Sequence, residues 1–468
     1  MSAIVQHART SAPELLTISD PRNGEPVGSL PAARPLAIRQ AVNAARAAHP
    51  AWSATSPAAR GSCLRSAAKA LAAATAELAE WNSRETGRPA AEAEAGIAAG
   101  VATLEQYAEL GPVHRGHSLR GDQLASDYTI AEARGVAVLL TPWNDPVAVA
   151  CGLIGAALVT GNTVVHKPSE RCPHLGVLLG KVLAPDFPPD VLITLTGGAA
   201  VGTQLTEQAG VAVVAHVGSS ASGARIARSS LLTGAHVIRE NGGNDPLLVD
   251  DDVDPVWAAR QAAVGAFSNS GQICTSVERI YVHRTIAGPF CAALAEEARR
   301  RNADGGLAPL VDDRLRDAVH RQVAEAQQRG ARPVEGGALP DGPGSYYPAT
   351  VLLDCTADMS VMTEETFGPV APVQVVESFD DGLRLAAAGR YGLAATVLTG
   401  SIAHGQRAIA ALPVGTVKIN EVFGVAPGGA AQPRGESGSG FGYGPELLDE
   451  FTRVKVVHIA APPGDGQP

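Results

Sequence analysis

The chain has 468 residues, of which 45% are hydrophobic and 4% aromatic, and its formal net charge is −10. This length is too great for a single hydrophobic core, so we expect two or three domains. Because aromatic residues are few, Ala, Val and Leu must fill those cores. The negative charge argues against nucleic acids and anionic membranes as partners.

The cysteines and the N-terminal segment bear on where the protein works. Six cysteines are scattered along the chain, with no C-x-x-C pair and no cysteine–histidine spacing typical of a zinc site. The N-terminal segment lacks the apolar run of a secretory signal. We therefore expect free thiols, no bound metal and a cytoplasmic location.

Residues 146–165 form an uncharged run that is long enough to suggest a membrane span. Within this run, Thr160-Gly161-Asn162 is a typical turn sequence, which divides it into a helix and a short strand. We therefore expect no segment of the chain to cross a membrane.

The N-terminal part is rich in alanine at helical spacing and predicts three amphipathic helices, at 37–51, 58–81 and 90–110. Beyond it, short Val-rich runs alternate with helical segments, which predicts a parallel, doubly wound sheet buried on both faces. The predicted strands are 135–141, 163–166, 191–195, 211–217 and 236–239, and the predicted helices are 147–159, 174–183, 201–208 and 221–232.

Residues 245–420 predict a second α/β region. Residues 424–444 are rich in Gly and Pro and predict a loop. Two strand-like segments, 128–133 and 452–459, lie outside the main alternation and could form a separate arm. The predicted helices of the second region lie near 255–268, 287–301, 312–329, 380–389 and 402–411, and its strands near 278–283, 370–376, 394–398 and 415–419.

Several polar residues and glycines come just after the strands of the first predicted sheet. In open α/β sheets, the carboxyl ends of the strands form the edge that binds ligands. This placement predicts a nucleotide or dinucleotide site at that edge. The residues concerned are Asn144, Lys167, Gly198, Gly218, Ser219 and Glu240.

The glycine motifs are weak evidence by themselves. Gly197–Gly202 does not match G-x-G-x-x-G, and Gly218–Gly223 has P-loop spacing but is followed by Ala224-Arg225. A P-loop ATPase is therefore disfavoured. Backbone N–H groups at helix N-termini near Ala200 and Ser219 could bind phosphates, although each glycine could equally make a strand-to-helix turn.

Lys167 and Glu170 follow a predicted strand and precede a helix. Lys167 could be an ordinary surface lysine, or the two side chains could bind ribose hydroxyls. A carboxylate in that place accepts a hydrogen bond from a 2′-hydroxyl and repels a 2′-phosphate. Under the second interpretation, Glu170 favours NAD over NADP.

Cys274 follows the polar, turn-forming segment Ser268–Gln272. A cysteine taken blindly is more often a small buried hydrophobic residue than a nucleophile, but this context predicts a thiol outside the core. N–H groups of the following Thr275-Ser276 could favour the thiolate. The other five cysteines are interpreted as structural.

Two further residues are candidates for catalysis. Glu240 ends a predicted strand before Asn241-Gly242-Gly243, and it is either a salt-bridge partner or a base whose pKa is raised by desolvation. Asn144 lies in a Pro-Trp-Asn turn. It either caps that turn or donates its amide to a developing oxyanion.

Seven motifs occur together in one order. They are Pro-Trp-Asn at 142–144, Gly-Asn-Thr-Val-Val-His-Lys-Pro at 161–168, Glu-x-Gly-Gly at 240–243, Gly-Gln-Ile-Cys at 271–274, Glu-x-Phe-Gly-Pro at 365–369, Tyr-Gly-Leu-Ala at 391–394 and Gly-Thr-Val-x-x-Asn at 415–420. Over 20–458 the chain resembles the NAD(P)-dependent aldehyde dehydrogenase superfamily.

The resemblance implies an α/β fold in three parts. A Rossmann-type NAD-binding domain with a doubly wound parallel sheet would comprise 1–113 and 132–242. A second α/β domain, the catalytic one, would comprise 243–432. A small β oligomerisation arm with the C-terminal tail would comprise 114–131 and 433–468, which implies a homodimer or homotetramer.

The resemblance also implies a mechanism for an aldehyde substrate. Cys274 thiolate would attack the aldehyde to give a thiohemiacetal, with Asn144 and the Cys274 N–H stabilising the oxyanion. Hydride transfer to the nicotinamide would leave a thioester, and Glu240 would activate the water that releases the acid. The cofactor would be NAD, with NADP possible. Its implied ligands are Thr141, Trp143, Lys167, Glu170, Gly198, Gly202, Gly218, Ser219, Gly223, Glu365 and Phe367.

The sequence departs from the family pattern in places. Asp145 and Lys418 stand where aromatic or apolar residues usually line the substrate tunnel, and Asn241 replaces a usual leucine. The segment 433–440 departs from the usual Pro-x-Gly-Gly pattern. Asp145 and Lys418 together predict a more polar substrate mouth than in enzymes for simple fatty aldehydes.

Three other functions remain open alternatives. A CoA-acylating semialdehyde dehydrogenase generally lacks the general-base glutamate, so Glu240 argues against it. A catalytically silent binding protein on this fold would not need Cys274. A cysteine hydrolase would need a histidine base, for which neither His236 nor His283 has a supporting motif.

Overall fold

The computed structural model describes residues 14–123, 125–303, 306–424 and 431–460. An antiparallel hairpin begins this part of the chain and is followed by four helices. The hairpin consists of β1 (Leu15–Ser19) and β2 (Pro26–Pro31), and the helices are α1 (Pro35–Ala54), α2 (Pro57–Ala73), α3 (Thr75–Thr86) and α4 (Ala90–Val113).

The prediction of a single helix at 58–81 is wrong, because the structure has two helices that meet at Ala74. Ala74 leaves helical geometry (φ −95°, ψ 7°), and Leu71 and Leu78 on either side of it are fully buried. Alanine has the highest helix propensity, so nothing local marks this break. Packing of the two segments sets it instead. Helix α3 ends at Gly87, whose φ of 77° suits a left-handed cap.

The first large sheet has six strands in the order β19-β9-β8-β5-β6-β7. Its five strands from the predicted alternation are parallel, as the sequence indicated. The short β19 adds an antiparallel edge from the C-terminal region. The elements of this sheet are β5 (Val136–Leu140), α5 (Pro146–Val159), β6 (Thr163–Lys167), α6 (Pro173–Leu183), β7 (Leu192–Thr194), α7 (Ala199–Thr206), β8 (Val211–Gly218), α8 (Ser220–Thr233), β9 (His236–Asn241) and β19 (Gly438–Ser439).

The second large sheet has seven strands in the order β12-β13-β14-β11-β10-β16-β17, and only β12 is antiparallel to its neighbour. The sequence analysis missed β10, β12 and β13; the first contains Pro246, which usually argues against a central strand. The elements of this part of the chain are β10 (Asp245–Val249), α9 (Pro255–Phe267), β11 (Val277–His283), α10 (Arg284–Ala303), α11 (Asp313–Gln328), β12 (Arg332–Glu335), β13 (Thr350–Leu353), β14 (Val370–Val376), α12 (Phe379–Ala387), β15 (Tyr391–Gly392), which pairs outside the large sheet, β16 (Ala394–Leu398), α13 (Ile402–Ala411) and β17 (Thr416–Ile419).

The two isolated strand-like segments pair with each other, in unbroken antiparallel register from Thr452↔Ala133 to Ala460↔Ala125. A third, two-residue strand completes this small sheet. Of the predicted loop at 424–444, residues 425–430 lie outside the described residues, and the rest contains short strands. The remaining elements are β3 (Ser118–Leu119), β4 (Ala125–Ala133), β18 (Arg434–Gly435), α14 (Glu446–Glu450) and β20 (Thr452–Ala460).

Each large sheet has a hydrophobic cluster on both faces, as expected of parallel strands covered by helices. Helix α5, from the uncharged run, is buried along nearly its whole length. None of the helices in the described ranges is both long and apolar enough to cross a membrane. The chain passes directly from β9 into β10, so the carboxyl edge of the first sheet faces the start of the second.

Candidate active site

Cys274 lies in a turn between α9 and β11, after three consecutive residues in the left-handed region. Asn269, Ser270 and Gly271 have φ values of 46°, 55° and 75°. Side chains in this region cost free energy, so the surrounding structure must impose it. Gly271 also has no room for a Cβ, which would collide with the carbonyl oxygen of Gly368.

Hydrogen bonds from neighbouring loops hold this turn. The buried Gln272 accepts from the Val311 N–H through Oε1 (2.9 Å) and donates through Nε2 to the Asn269 carbonyl (3.1 Å). Ser270 Oγ donates to the Ala308 carbonyl at 2.6 Å. The position of the thiol is therefore fixed by the fold of the second domain.

The Cys274 thiol lies 3.9 Å from Glu240 Oε1, at the end of β9. Burial raises the pKa of Glu240, as the sequence analysis expected. Burial, reinforced by Glu240 and Asp245, also raises the pKa of Cys274 well above its ordinary value. The expectation that Thr275-Ser276 N–H groups favour the thiolate stays a prediction: a strand rather than a helix begins just after them, at Val277, and the nearby carboxylates act in the opposite direction.

Asn144 is held beside the same turn. Its Nδ2 donates to the Gln272 carbonyl at 3.1 Å, two residues before the cysteine. Arg88 donates both to the Asn144 carbonyl (3.2 Å) and to Asp145 Oδ1 (2.8 Å). The Asp145 carboxylate is thus committed to an ion pair, while the Asn144 amide stays close to the nucleophile.

A buried glutamate that the sequence analysis missed holds the segment containing Glu365 and Phe367. Glu278 of β11 accepts from the N–H groups of Thr366 (2.9 Å) and Phe367 (2.8 Å). Burial raises the pKa of Glu278 to about 7. Its only signal in the sequence is a Glu-Arg pair at 278–279 inside a predicted strand.

Glu365 lies against the Glu-Asn-Gly-Gly segment, because a Cβ on Gly242 would collide with its carboxylate. Burial and the charge of Glu278 raise the pKa of Glu365. Three acidic side chains therefore act on the thiol, together with one lysine: Glu240, Asp245, Glu365 and Lys418. Glu278 lies behind them and acts on Asp245 and Glu365.

A cavity of about 590 Å³ opens at the carboxyl edge of the first sheet. The N-terminal ends of α7 and α8 border it through Ala199 and Ser219, where free N–H groups favour phosphates. Seven of the predicted cofactor ligands line it: Thr141, Trp143, Lys167, Glu170, Gly202, Gly218 and Ser219. The size, the helix ends and these side chains fit a dinucleotide.

Lys167 and Glu170 form the pair that the sequence suggested for a ribose. Lys167 is buried, and its Nζ donates to the Pro168 (2.8 Å) and Gly197 (2.9 Å) carbonyls. Glu170 Oε2 lies 3.7 Å from that Nζ and is 43% exposed. The carboxylate is thus free to accept a hydrogen bond from a ligand in the cavity.

Four predicted cofactor residues lie outside the lining of this cavity. Gly198 is the residue before α7, with open space beside its Cα, whereas Gly223 packs tightly against the Asn241 side chain. The centres of the Phe367 and Trp143 rings are 5.6 Å apart. Glu365 lies against Gly242, near the thiol. Close packing against Asn241 therefore explains why residue 223 is a glycine.

The sequence analysis missed the basic side chains of the cavity. Arg171 lies over the Trp143 ring at 5.1 Å and forms an ion pair with Asp312 at 3.0 Å. Arginines far apart in sequence gave no motif. The lining residues that were missed include Arg171, His216, Ser222, Arg225, Arg228 and Arg314.

The histidines considered for a hydrolase have other partners. His236 Nε2 bonds Glu450 at 2.5 Å, and His283 Nδ1 bonds Thr285 at 2.8 Å. Within the described ranges, no group of three or more His, Cys, Asp or Glu side chains is arranged to hold a metal ion. The groups beside Cys274 that can exchange protons are therefore carboxylates and a lysine.

Comparison with known proteins gives one consistent result. The family model described as the aldehyde dehydrogenase family matches residues 8–457. Betaine aldehyde dehydrogenase 1 of Rhizobium meliloti (strain 1021) is 33% identical, over 95% of this chain and 93% of its own. Lactaldehyde dehydrogenase of Escherichia coli (strain K12) is 31% identical, over 98% and 100%. The solved structure of PnpE in complex with nicotinamide adenine dinucleotide has a TM-score of 0.92 at 28% identity, covering 96% of this chain and 94% of that one.

Proposed function

Since the chain belongs to the aldehyde dehydrogenase family, we propose that Cys274 and Glu240 carry out its NAD(P)-dependent oxidation of an aldehyde to a carboxylic acid. The observation that carries this proposal is the 3.9 Å approach of Cys274 Sγ to Glu240 Oε1. It places a nucleophile and a base of raised pKa together, at the edge of the cofactor cavity.

The steps assigned to this chain follow from that geometry. The Cys274 thiol releases its proton to solvent, and the thiolate attacks the aldehyde carbon. The Asn144 amide, beside the Gln272 carbonyl, donates to the oxyanion that forms. After oxidation to the thioester, Glu240 activates a water molecule that releases the acid.

The cofactor cavity supports NAD as the oxidant. When bound, NAD supplies the hydride acceptor of the oxidation. The N-terminal ends of α7 and α8 would hold its phosphates, and Lys167 and Glu170 would hold a ribose. Phe367, whose backbone N–H donates to Glu278, would lie beside the nicotinamide half of the cofactor.

Water rather than CoA is proposed as the acceptor of the acyl group. A half-buried carboxylate next to the thioester sulfur is suited to deprotonating water, and its raised pKa brings it toward neutral pH. A thiol acceptor would not require this base. The position of Glu240 therefore favours hydrolysis over acylation of CoA.

We also propose the three-part division named above, with the small sheet acting in assembly. On one face, β20 exposes Val454 (74%) and Val456 (64%), an apolar surface suited to another copy of the chain. Val456→Asp should lower the mass measured by light scattering, whereas Ile402→Asp, also at an exposed position, should not.

We also propose that the protein works in the reducing cytoplasm, which the six free cysteines support.

The experiment that tests the function is NADH absorbance with a panel of aldehydes, with NAD and NADP in parallel and without CoA. We expect turnover that Cys274→Ala abolishes and that Cys291→Ala, a change at a cysteine outside the site, preserves. Activity only after CoA is added would replace hydrolysis by acylation. Silence with and without CoA would overturn the assignment of Cys274 and Glu240.

A further inference from the structure

Lys418 projects from the second sheet toward the Cys274 turn. Val417 and Ile419 pack against the hydrophobic cluster on one face of this sheet. Since side chains alternate along a strand, Lys418 points to the opposite face, where α9 packs. Helix α9 leads directly into the turn that carries Cys274.

Asp245 lies close to both Lys418 and the nucleophile. A Cβ on Gly243 would lie 2.5 Å from Asp245 Oδ1 and 3.0 Å from the Cys274 carbonyl oxygen. Asp245 Oδ1 accepts from the Ala394 N–H at 3.2 Å. Its other oxygen is buried with no hydrogen-bond partner among the residues that the structure describes. Polar groups left in this way point to a ligand or an ordered water.

The ammonium group of Lys418 is also without a fixed partner. The residue is only 8% exposed. Among the described parts of the chain, it makes no hydrogen bond and no ion pair within 4 Å; its Nζ lies 5.5 Å from the centre of the Phe423 ring. Since no acceptor within the described residues satisfies this ammonium group, a substrate that supplies an anionic acceptor gains a charge-assisted hydrogen bond.

We propose that Lys418 recognises an anionic group on the substrate, so that the enzyme acts on short aldehydes that carry a carboxylate or a comparable anion. This inference rests on the proposed aldehyde-oxidising function and deepens it. The Lys418 ammonium binds the anion while the aldehyde carbon lies at Cys274 Sγ. A cationic aldehyde is disfavoured, because its charge would approach Lys418 directly.

The electrostatics of the neighbouring groups agree with this assignment. Burial lowers the pKa of Lys418, and Asp245 opposes that shift. Burial raises the pKa of Asp245 well above its ordinary value, and the charge of Lys418 opposes that shift.

The test compares ω-oxocarboxylates of two to five carbons with their methyl esters, which keep the length and lose the charge. A charge-assisted hydrogen bond contributes about 1.5–3 kcal/mol, or roughly ten- to a hundredfold. We expect the kcat/KM ratio of acid to ester to reach that range at one chain length. Lys418→Met should bring the ratio near one, and Lys418→Glu should invert it. Lys181→Met, an exposed lysine on α6, should preserve it.

The ratio cancels losses that affect both substrates equally, so a weakened variant still reports on recognition. NADH formed from esters and acids alike, with a ratio near one in the unchanged enzyme, would overturn the anion proposal and leave the oxidation intact. A preference for betaine aldehyde over its neutral analogue would overturn it as well.

A second measurement needs no turnover. Butanoate should slow the alkylation of Cys274 by iodoacetamide, read by mass spectrometry of the peptide, whereas methyl butanoate should not. Lys418→Met should remove that protection. Equal protection by both compounds would count against Lys418 even if no aldehyde is oxidised.

Discussion

The cofactor cavity and the Cys274 site lie side by side but differ in charge. The cavity is open and gathers cations and helix N-termini, including Lys167, Arg171 and Arg225. The thiol site gathers carboxylates, including Glu240 and Asp245. Positive potential suits a diphosphate, whereas buried carboxylates suit proton transfer near neutral pH.

This contrast separates binding from chemistry along one boundary, at the end of β9. Glu240 stands where the first sheet ends, and Cys274 comes from the second. Changes on the cavity side should therefore act on cofactor affinity and selectivity. Changes on the thiol side should act on turnover and on its dependence on pH.

Among changes at the thiol site that keep Cys274, Glu240→Gln should have the largest effect on turnover. The amide cannot take a proton, and loss of a general base costs about 10²–10⁴-fold in rate. We expect slow steady-state turnover with a retained first-turnover burst of NADH, measured by stopped-flow absorbance. Full steady-state turnover in this variant would mean that another group activates the water.

The burst also shows whether Glu240 is needed to deprotonate Cys274. If Glu240 alone could deprotonate the thiol, its replacement would remove the burst too. Raising the pH should then restore the burst, because hydroxide replaces the base in that step. A burst that stays absent at high pH would assign Glu240 a structural role.

The next effect concerns the pH dependence of the thiol. Burial and the neighbouring carboxylates raise the pKa of Cys274, so the thiolate is scarce at neutral pH and increases as pH rises. Alkylation of the free enzyme by iodoacetamide should quicken about tenfold per pH unit between pH 7 and 9. A rate that is flat over this range would show that the thiolate already predominates.

The first site was more readable from the sequence than the second. Asn144, Lys167 and Ser219 follow strands of a regular alternation, so their common edge could be predicted from pattern alone. The strands had to be short, apolar and parallel for that to work, and they are. Local sequence determines an element there, and topology then determines the site.

The thiol site depends on contacts that no local pattern contains. The left-handed Asn269 and Ser270 are imposed by bonds from residues 308–311. Glu278 takes its role from an N–H of Phe367, which is remote in sequence. The strand that presents Asp245 was missed because a proline interrupts its pattern. Long-range packing decides each of these, so sequence pattern could not.

A smaller effect is expected from Glu278→Gln. The amide can accept from one of the Thr366 and Phe367 N–H groups and leaves the other unsatisfied, at about 1–3 kcal/mol. We expect a lower melting temperature and a higher KM for NAD. Glu296→Gln, which removes an exposed ion pair, should change neither, because such pairs contribute about 0–1 kcal/mol.

The raised pKa of Glu278 predicts how the stability of the protein changes with pH. With a folded-state pKa of about 7, above the ordinary value, the folded protein binds more protons than the unfolded chain below pH 7. Stability should therefore be lost as pH rises through 7, and Glu278→Gln should remove that part of the loss. Melting curves from pH 5 to 8 measure it, and an identical pH dependence in both proteins would contradict the assignment.

The smallest expected effect tests the cavity side. Glu170 lies 3.7 Å from Lys167, whose Nζ already donates to two carbonyls. The lysine is thus poorly placed to neutralise an added phosphate, while the carboxylate repels it. Glu170→Gln should raise kcat/KM with NADP by roughly tenfold, on the scale of about 1.4 kcal/mol, and leave turnover with NAD nearly as it was. Glu94→Gln, at an exposed position on α4, should leave the NAD to NADP ratio unchanged. If the unchanged enzyme already uses both cofactors equally, the arginines of the cavity outweigh Glu170, and the cation-rich side of the contrast sets selectivity as well as affinity.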